Sequence, residues 1–115
     1  MSEAQIQGEG YSVRKAGGTY VFRGSIRLGG QEEYGPLIDL LSRAIAEQQA
    51  RVVLDLRELQ FLNSAGLYVL SQLVVRLRDA AQAEVEVRAS GKIFWQGKSL
   101  KNLRRLMPAL VLTFE

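Results

Sequence analysis

The spacing of apolar positions changes along the chain and marks out the elements in turn. Tyr11–Lys15 and Thr19–Ile26 are two short runs rich in aromatic and β-branched residues, separated by Ala16-Gly17-Gly18. That composition predicts a β-hairpin with a tight turn, ended by Leu28-Gly29-Gly30. Tyr34, Leu37, Ile38, Leu41, Ile45 and Gln48 then fall on one helical stripe. Pro36 is tolerated only in a first turn, so this helix should start near Glu33–Gly35 and run to about Gln49. Arg51–Leu56 is almost continuously apolar and predicts a strand buried on both faces. A second stripe, Leu67, Leu70, Val74, Leu77 and Ala81, predicts another helix. Glu84–Ala89 alternates with period two, as a strand with one wetter face does. Ser99 is placed to cap a short helix that Pro108 ends, and Leu110–Phe114 makes a last strand.

The predicted order is β-β-α-β-α-β-α-β. After the N-terminal hairpin, helices alternate with strands, which implies right-handed crossovers and a mixed, largely parallel sheet with helices packed on it. The fold class is α/β. No repeat, linker or low-complexity tract interrupts the pattern, so residues 1–115 read as one domain.

Composition narrows the chemistry. The chain contains no Cys and no His. It therefore has no thiol nucleophile, no zinc–thiolate site, and neither the commonest metal ligand nor the commonest general base near neutral pH. An enzyme is not expected, and neither catalytic residues, a metal nor a cofactor can be named. No window approaches the apolar length of a membrane helix, and Met1–Gln5 lacks the charge and apolar run of a signal peptide, so a cytoplasmic location is expected. The net charge of +3 is uneven. Residues 1–87 carry nine basic and eleven acidic side chains, whereas 88–115 carry six basic and one acidic. A solvated helix face accounts for that basic stretch, and an anionic partner is the alternative.

The informative segment joins Val52–Leu56 to Asn63-Ser64-Ala65-Gly66-Leu67. A strand feeds a loop that delivers a serine at a helix start. Ser64 suits an N-cap whose hydroxyl accepts from the Leu67 N–H, and Gly66 lets the first turn lie close to another surface. The free N–H groups there can hold an anion, so a phosphate on Ser64 would be stabilised while adding about −1.5 to −2 charge.

Leu54-Asp55-Leu56, Phe61-Leu62 and Asn63–Leu70 together resemble the STAS domain, in particular the bacterial anti-sigma factor antagonists. The predicted element order agrees with that fold over nearly the whole chain. The resemblance implies a protein-binding switch in a partner-switching circuit. An anti-sigma factor serine kinase would phosphorylate Ser64 and release its sigma factor when bound by the unmodified form; a cognate phosphatase would reset the switch. The contact patch it implies comprises Asn63, Ser64, Ala65, Gly66 and Tyr68, with Gly29 and Gly30 in the loop beside the serine. Two residues depart from the pattern. Asn63 stands where an aspartate is usual, and bulky Tyr68 stands where a small residue is usual.

Other readings rank below this one. Ser64 lacks both the preceding glycine and the histidine of a hydrolase nucleophile elbow. Gly8-Glu9-Gly10 and Gly29-Gly30 do not match dinucleotide fingerprints. Asp39, Glu47, Asp55 and Glu58 show no metal-ligand spacing, and Asp55 reads as a loop-capping carboxylate. Ile93–Arg105 mixes aromatic and basic residues, which makes nucleic-acid binding the second class of function. A small-ligand sensor of the STAS type is the third.

Overall fold

Glycine-punctuated β-runs begin the chain, and the computed structural model, which describes residues 3–29, 32–81 and 83–115, forms them into three antiparallel strands. These are β1 (Glu3–Gly8), β2 (Tyr11–Ala16) and β3 (Thr19–Ile26). The hairpin of β2 and β3 closes at Gly17-Gly18 as its composition predicts, with Ala16 opposite Thr19. Strand β1 was not foreseen. Its polar residues Gln5 and Gln7 hide the alternation, and Ile6, opposite Val13, alone signals the buried face.

From residue 35 onward the predicted alternation holds. Helix α1 (Gly35–Ala46) leads to β4 (Arg51–Leu62), α2 (Ser64–Arg76) to β5 (Glu84–Ala89), and α3 (Phe94–Leu106) to β6 (Val111–Phe114). A π-helical turn, Leu77–Ala81, extends α2. Helix α1 ends before Gln49 because Gln48 adopts a left-handed φ of 52°. The six strands lie in sequence order, with β3 to β6 parallel. Each crossover steps one strand in the same direction. With a common right hand, that places all three helices on one face of the sheet.

The core follows from this one-sided arrangement. Val13, Tyr20 and Phe22 of the hairpin, Val52, Leu54 and Leu56 of β4, and Val85 and Val87 of β5 point to the helices. There they meet Leu41, Leu70, Leu73 and Leu103.

Two expected boundaries need correction. Strand β4 is 12 residues long rather than ending at Leu56, because register shifts between Val21 and Arg23 and between Gly24 and Ser25 let it keep pairing with β3 as far as Leu62. Its expected burial on both faces holds over Val52–Leu56, although no helix among the described residues covers the second face. Val53 and Asp55 are buried there within an ionic lattice on the sheet surface. Finally, α3 begins at Phe94 and Ser99 lies inside it. Its first turn is held by side-chain bonds to the sheet rather than by a serine cap.

In the lattice, Arg57 grips both oxygens of Asp55 at 2.9 and 2.8 Å and reaches Glu115 at 3.2 Å. Glu86 accepts from Arg88 at 2.9 Å and pairs with Arg51. Asp55 therefore serves an ion pair within a strand, not a loop cap. Hydrogen bonds from Arg57 hold the Asp55 carboxyl below the usual range, and Arg88 does the same for Glu86. Depressed carboxylates add stability that is present above their unfolded pKa and lost as pH falls through the folded one. The melting temperature should therefore fall more steeply below about pH 4 in the wild type than in an Asp55→Asn/Glu86→Gln variant. Equal slopes between pH 2 and 5 would show that the lattice contributes nothing to acid stability.

Candidate functional site

The loops that follow β3, β4 and β5 emerge at one end of the sheet, since these strands are parallel. The start of α2 lies at this end. The N-cap is Asn63 rather than Ser64, as its extended backbone (φ −75°, ψ 174°) shows. The Asn63 Oδ1 accepts from the Gly66 N–H at 2.9 Å, satisfying one free donor of the first turn. Asparagine competes well with serine here because its amide also donates. The Asn63 Nδ2 donates to the Leu28 carbonyl at 2.9 Å, and the Tyr34 hydroxyl donates to Asn63 Oδ1 at 2.6 Å.

This arrangement fastens three pieces of chain together. Tyr34, fully buried before α1, and Leu28, in the loop after β3, both hang on one side chain. The backbone reinforces it, with the Asn63 N–H donating to the Ile26 carbonyl at 3.3 Å. Burial pushes the Tyr34 phenol above its usual pKa, so it stays a donor at neutral pH. Gly66 completes the fit. A Cβ at this position would collide with the Leu62 side chain and the Tyr34 hydroxyl, so glycine is what lets Tyr34 reach the cap.

Ser64 is the first residue of α2 and is exposed. Its hydroxyl takes no hydrogen-bond partner among the described residues. Ala65 is half-buried and Gly66 buried, while Tyr68 stands 55% exposed one turn further on. Gly29 is exposed, donates its N–H to the Glu33 carboxylate, and follows the Leu28 carbonyl that Asn63 holds. The structure thus brings Asn63, Ser64, Ala65, Gly66, Tyr68 and the Gly29 loop to one surface. Gly30 lies outside the described residues.

Sequence reasoning missed several neighbours. The Arg27 guanidinium, just after β3, sits 4.7 Å from the centre of the Phe61 ring near the end of β4. Tyr34 was read as part of a helical stripe, and nothing in its spacing showed that its hydroxyl would reach across 29 residues. Between α1 and α2, Ile38, Tyr68, Val69, Gln72, Leu73 and Arg76 line a groove of about 200 Å³. It was invisible because each helix alone shows only its core stripe. No group of acidic side chains among the described residues could hold a metal ion, and no helix is long and apolar enough to cross a membrane.

No protein-family model matches the chain, and no curated protein matches it by sequence. Solved structures do. Apo-SiaC from Pseudomonas aeruginosa superposes with a TM-score of 0.77 at 20% identity, covering 100% of this chain and 99% of that one. The crystal structure of the diguanylate cyclase SiaD in complex with its activator SiaC, from the same organism, matches with a TM-score of 0.75 at 18% identity, covering 97% and 99%. An anti-sigma factor antagonist from Mycobacterium paratuberculosis matches with a TM-score of 0.60 at 22% identity, covering 96% and 86%. The sequence motif, the one-sided sheet and these superpositions converge: the chain has the STAS-like fold of the anti-sigma factor antagonists.

Proposed function

We propose that this chain is a regulatory protein-binding module, an anti-sigma factor antagonist of the partner-switching type, rather than an enzyme. Its contact surface is the start of α2, from Asn63 to Tyr68, with the loop at Gly29. Ser64 is the position where a partner kinase acts and a phosphatase reverses it. The observation that carries this reading is the exposed Ser64 hydroxyl, without a hydrogen-bond partner among the described residues, beside a cap in which the neighbouring groups are tied down.

The physics of the site supports a surface switch. The α2 dipole and its free N–H groups favour a phosphate at Ser64, so modification need not disturb the fold. The dianion acts outward instead, by repulsion and desolvation at a contact patch. Asn63 fits this scheme, since a neutral cap does not repel an adjacent phosphate as a carboxylate would.

The higher structural agreement with SiaC favours a second reading of the output. In it the partner is a nucleotide cyclase or similar enzyme that the chain activates, with no sigma factor in the circuit. The same site serves both.

The test uses the partner recovered by co-purification from native cells, with phosphosite mapping of the recovered chain. Ser64→Ala should retain that partner, whereas Ser64→Asp should weaken it at least tenfold, with both variants melting within a few degrees of wild type. Unchanged binding by Ser64→Asp, together with no phosphate on Ser64, would sink the switch.

A further inference from the structure

The first turn of α3 is pinned to the sheet. The Trp95 indole donates to the Leu59 carbonyl at 3.1 Å, and the Gln96 amide donates to the Leu56 and Leu59 carbonyls at 2.6 and 3.0 Å. The Gln96 Oε1 in turn accepts from the Ser90 N–H at 2.8 Å. With both following side chains turned inward and bonded, Phe94 is forced outward and is 97% exposed. An aromatic ring held in water by a rigid neighbour loses little freedom on binding, which is what an interface anchor needs.

Phe94 does not stand alone. Lys98, Lys101 and Arg105 follow it at four, three and four residues, so all four lie on one exposed stripe of α3 about 16 Å long. None of the three cations forms an ion pair among the described residues. This contrasts with the open sheet face, where Arg51, Arg57 and Arg88 are each matched to a carboxylate. Helix α3 itself contains no acidic residue.

We infer that this stripe is a second docking surface, distinct from the start of α2, for an acidic helical segment of a partner protein. Such a segment would present carboxylates on successive turns and an apolar pocket for the Phe94 ring. The charge complementarity is local, and that selects the occupant. A nucleic acid would run beyond the stripe onto a remainder with no excess of cations to track its backbone, since the chain outside the stripe carries twelve basic and twelve acidic side chains. A lipid surface would need the apolar face of α3, but Leu100 and Leu103 are buried in the core.

The test is a titration of the isotopically labelled full chain, followed by amide NMR shifts at 0.15 M salt. The probes are a Glu-rich amphipathic helical peptide with one leucine face, a 20-nucleotide single strand, and phosphatidylglycerol-containing vesicles. The peptide should shift amides along Phe94–Arg105 and saturate. Phe94→Ala and Lys98→Glu/Lys101→Glu should each weaken it at least tenfold; both alter exposed side chains only. Arg43→Glu, on the exposed side of α1, and Ser64→Asp should leave it unchanged. An effect of Ser64→Asp on this binding would overturn the claim of a separate surface. Absence of peptide shifts, an equal loss with Arg43→Glu, or tighter binding of the oligonucleotide or the vesicles would overturn the inference. None of these outcomes bears on whether Ser64 is the switch.

Discussion

Asn63→Ala should lower the unfolding free energy by about 2–4 kcal/mol, measured by chemical denaturation. Loss of the N-cap alone accounts for about 1 kcal/mol of this. The remainder comes from groups the substitution abandons. The buried Tyr34 hydroxyl loses its acceptor and the Leu28 carbonyl loses its donor. Each buried polar group left unpaired costs about 1–3 kcal/mol, reduced where water can enter. Asn63→Asp separates these contributions. A carboxylate still accepts from Gly66 and Tyr34 but faces the Leu28 carbonyl with a second oxygen. This variant should be destabilised at neutral pH and partly recover when acid protonates the new carboxyl, because the O–H can then donate to Leu28. If Asn63→Ala costs less than about 0.5 kcal/mol, the network at the cap is not a structural lock.

Gln96→Ala should be comparably damaging, by about 2–5 kcal/mol. Gln96 is fully buried and, tyrosines aside, is one of three buried polar or charged side chains among the described residues, with Lys15 and Asp55. Its removal leaves the Leu56 carbonyl and the Ser90 N–H without the partners it gave them, and opens a cavity at the foot of α3. The Leu59 carbonyl keeps its bond from Trp95. Gln96→Glu should be worse at neutral pH than Gln96→Leu. It retains an acceptor for Ser90 but turns a buried charge toward two carbonyls. Denaturation curves for the three variants, with amide shifts of Phe94 and Trp95, would check this. A Gln96→Ala protein with wild-type stability and unshifted α3 resonances would show that the helix is held by its apolar contacts alone.

Much of the fold was legible because periodicity reports burial directly. The inward stripe of α1 contains Leu37 and Leu41, and the outward positions of Glu84–Ala89 are the polar ones. What escaped were features made by partners distant in sequence. The outer half of β4 stays paired with β3 only because β4 itself bulges, with an extra residue between Asp55 and Glu58 and again between Leu59 and Phe61, and Leu59 and Phe61 look like loop residues without that partner. Strand β1 offers little apolar periodicity, with Ile6 packed against the core between two exposed glutamines, and needs β2 to exist. At the site, the residue type at Ser64 and the glycine at Gly66 were readable, but the capping role was assigned one residue too late. Serine and asparagine both cap helices locally. The choice between them was made by Tyr34 and the Leu28 carbonyl, which no local reading contains. The start of α3 was misplaced for the same reason, since its anchor is Gln96 reaching back to β4.

Because strand order equals sequence order, every strand pairs only with its neighbours along the chain. No place in the sheet has to be kept open for a segment made later. Each new β-α unit can add to the edge left by the previous one, so the domain can assemble in the direction of its synthesis. Loop closure then spans only one crossover at a time, which keeps the entropic barrier to each step low. A half-made chain presents a single growing edge rather than an unfilled gap, which limits the sites where another chain could pair with it.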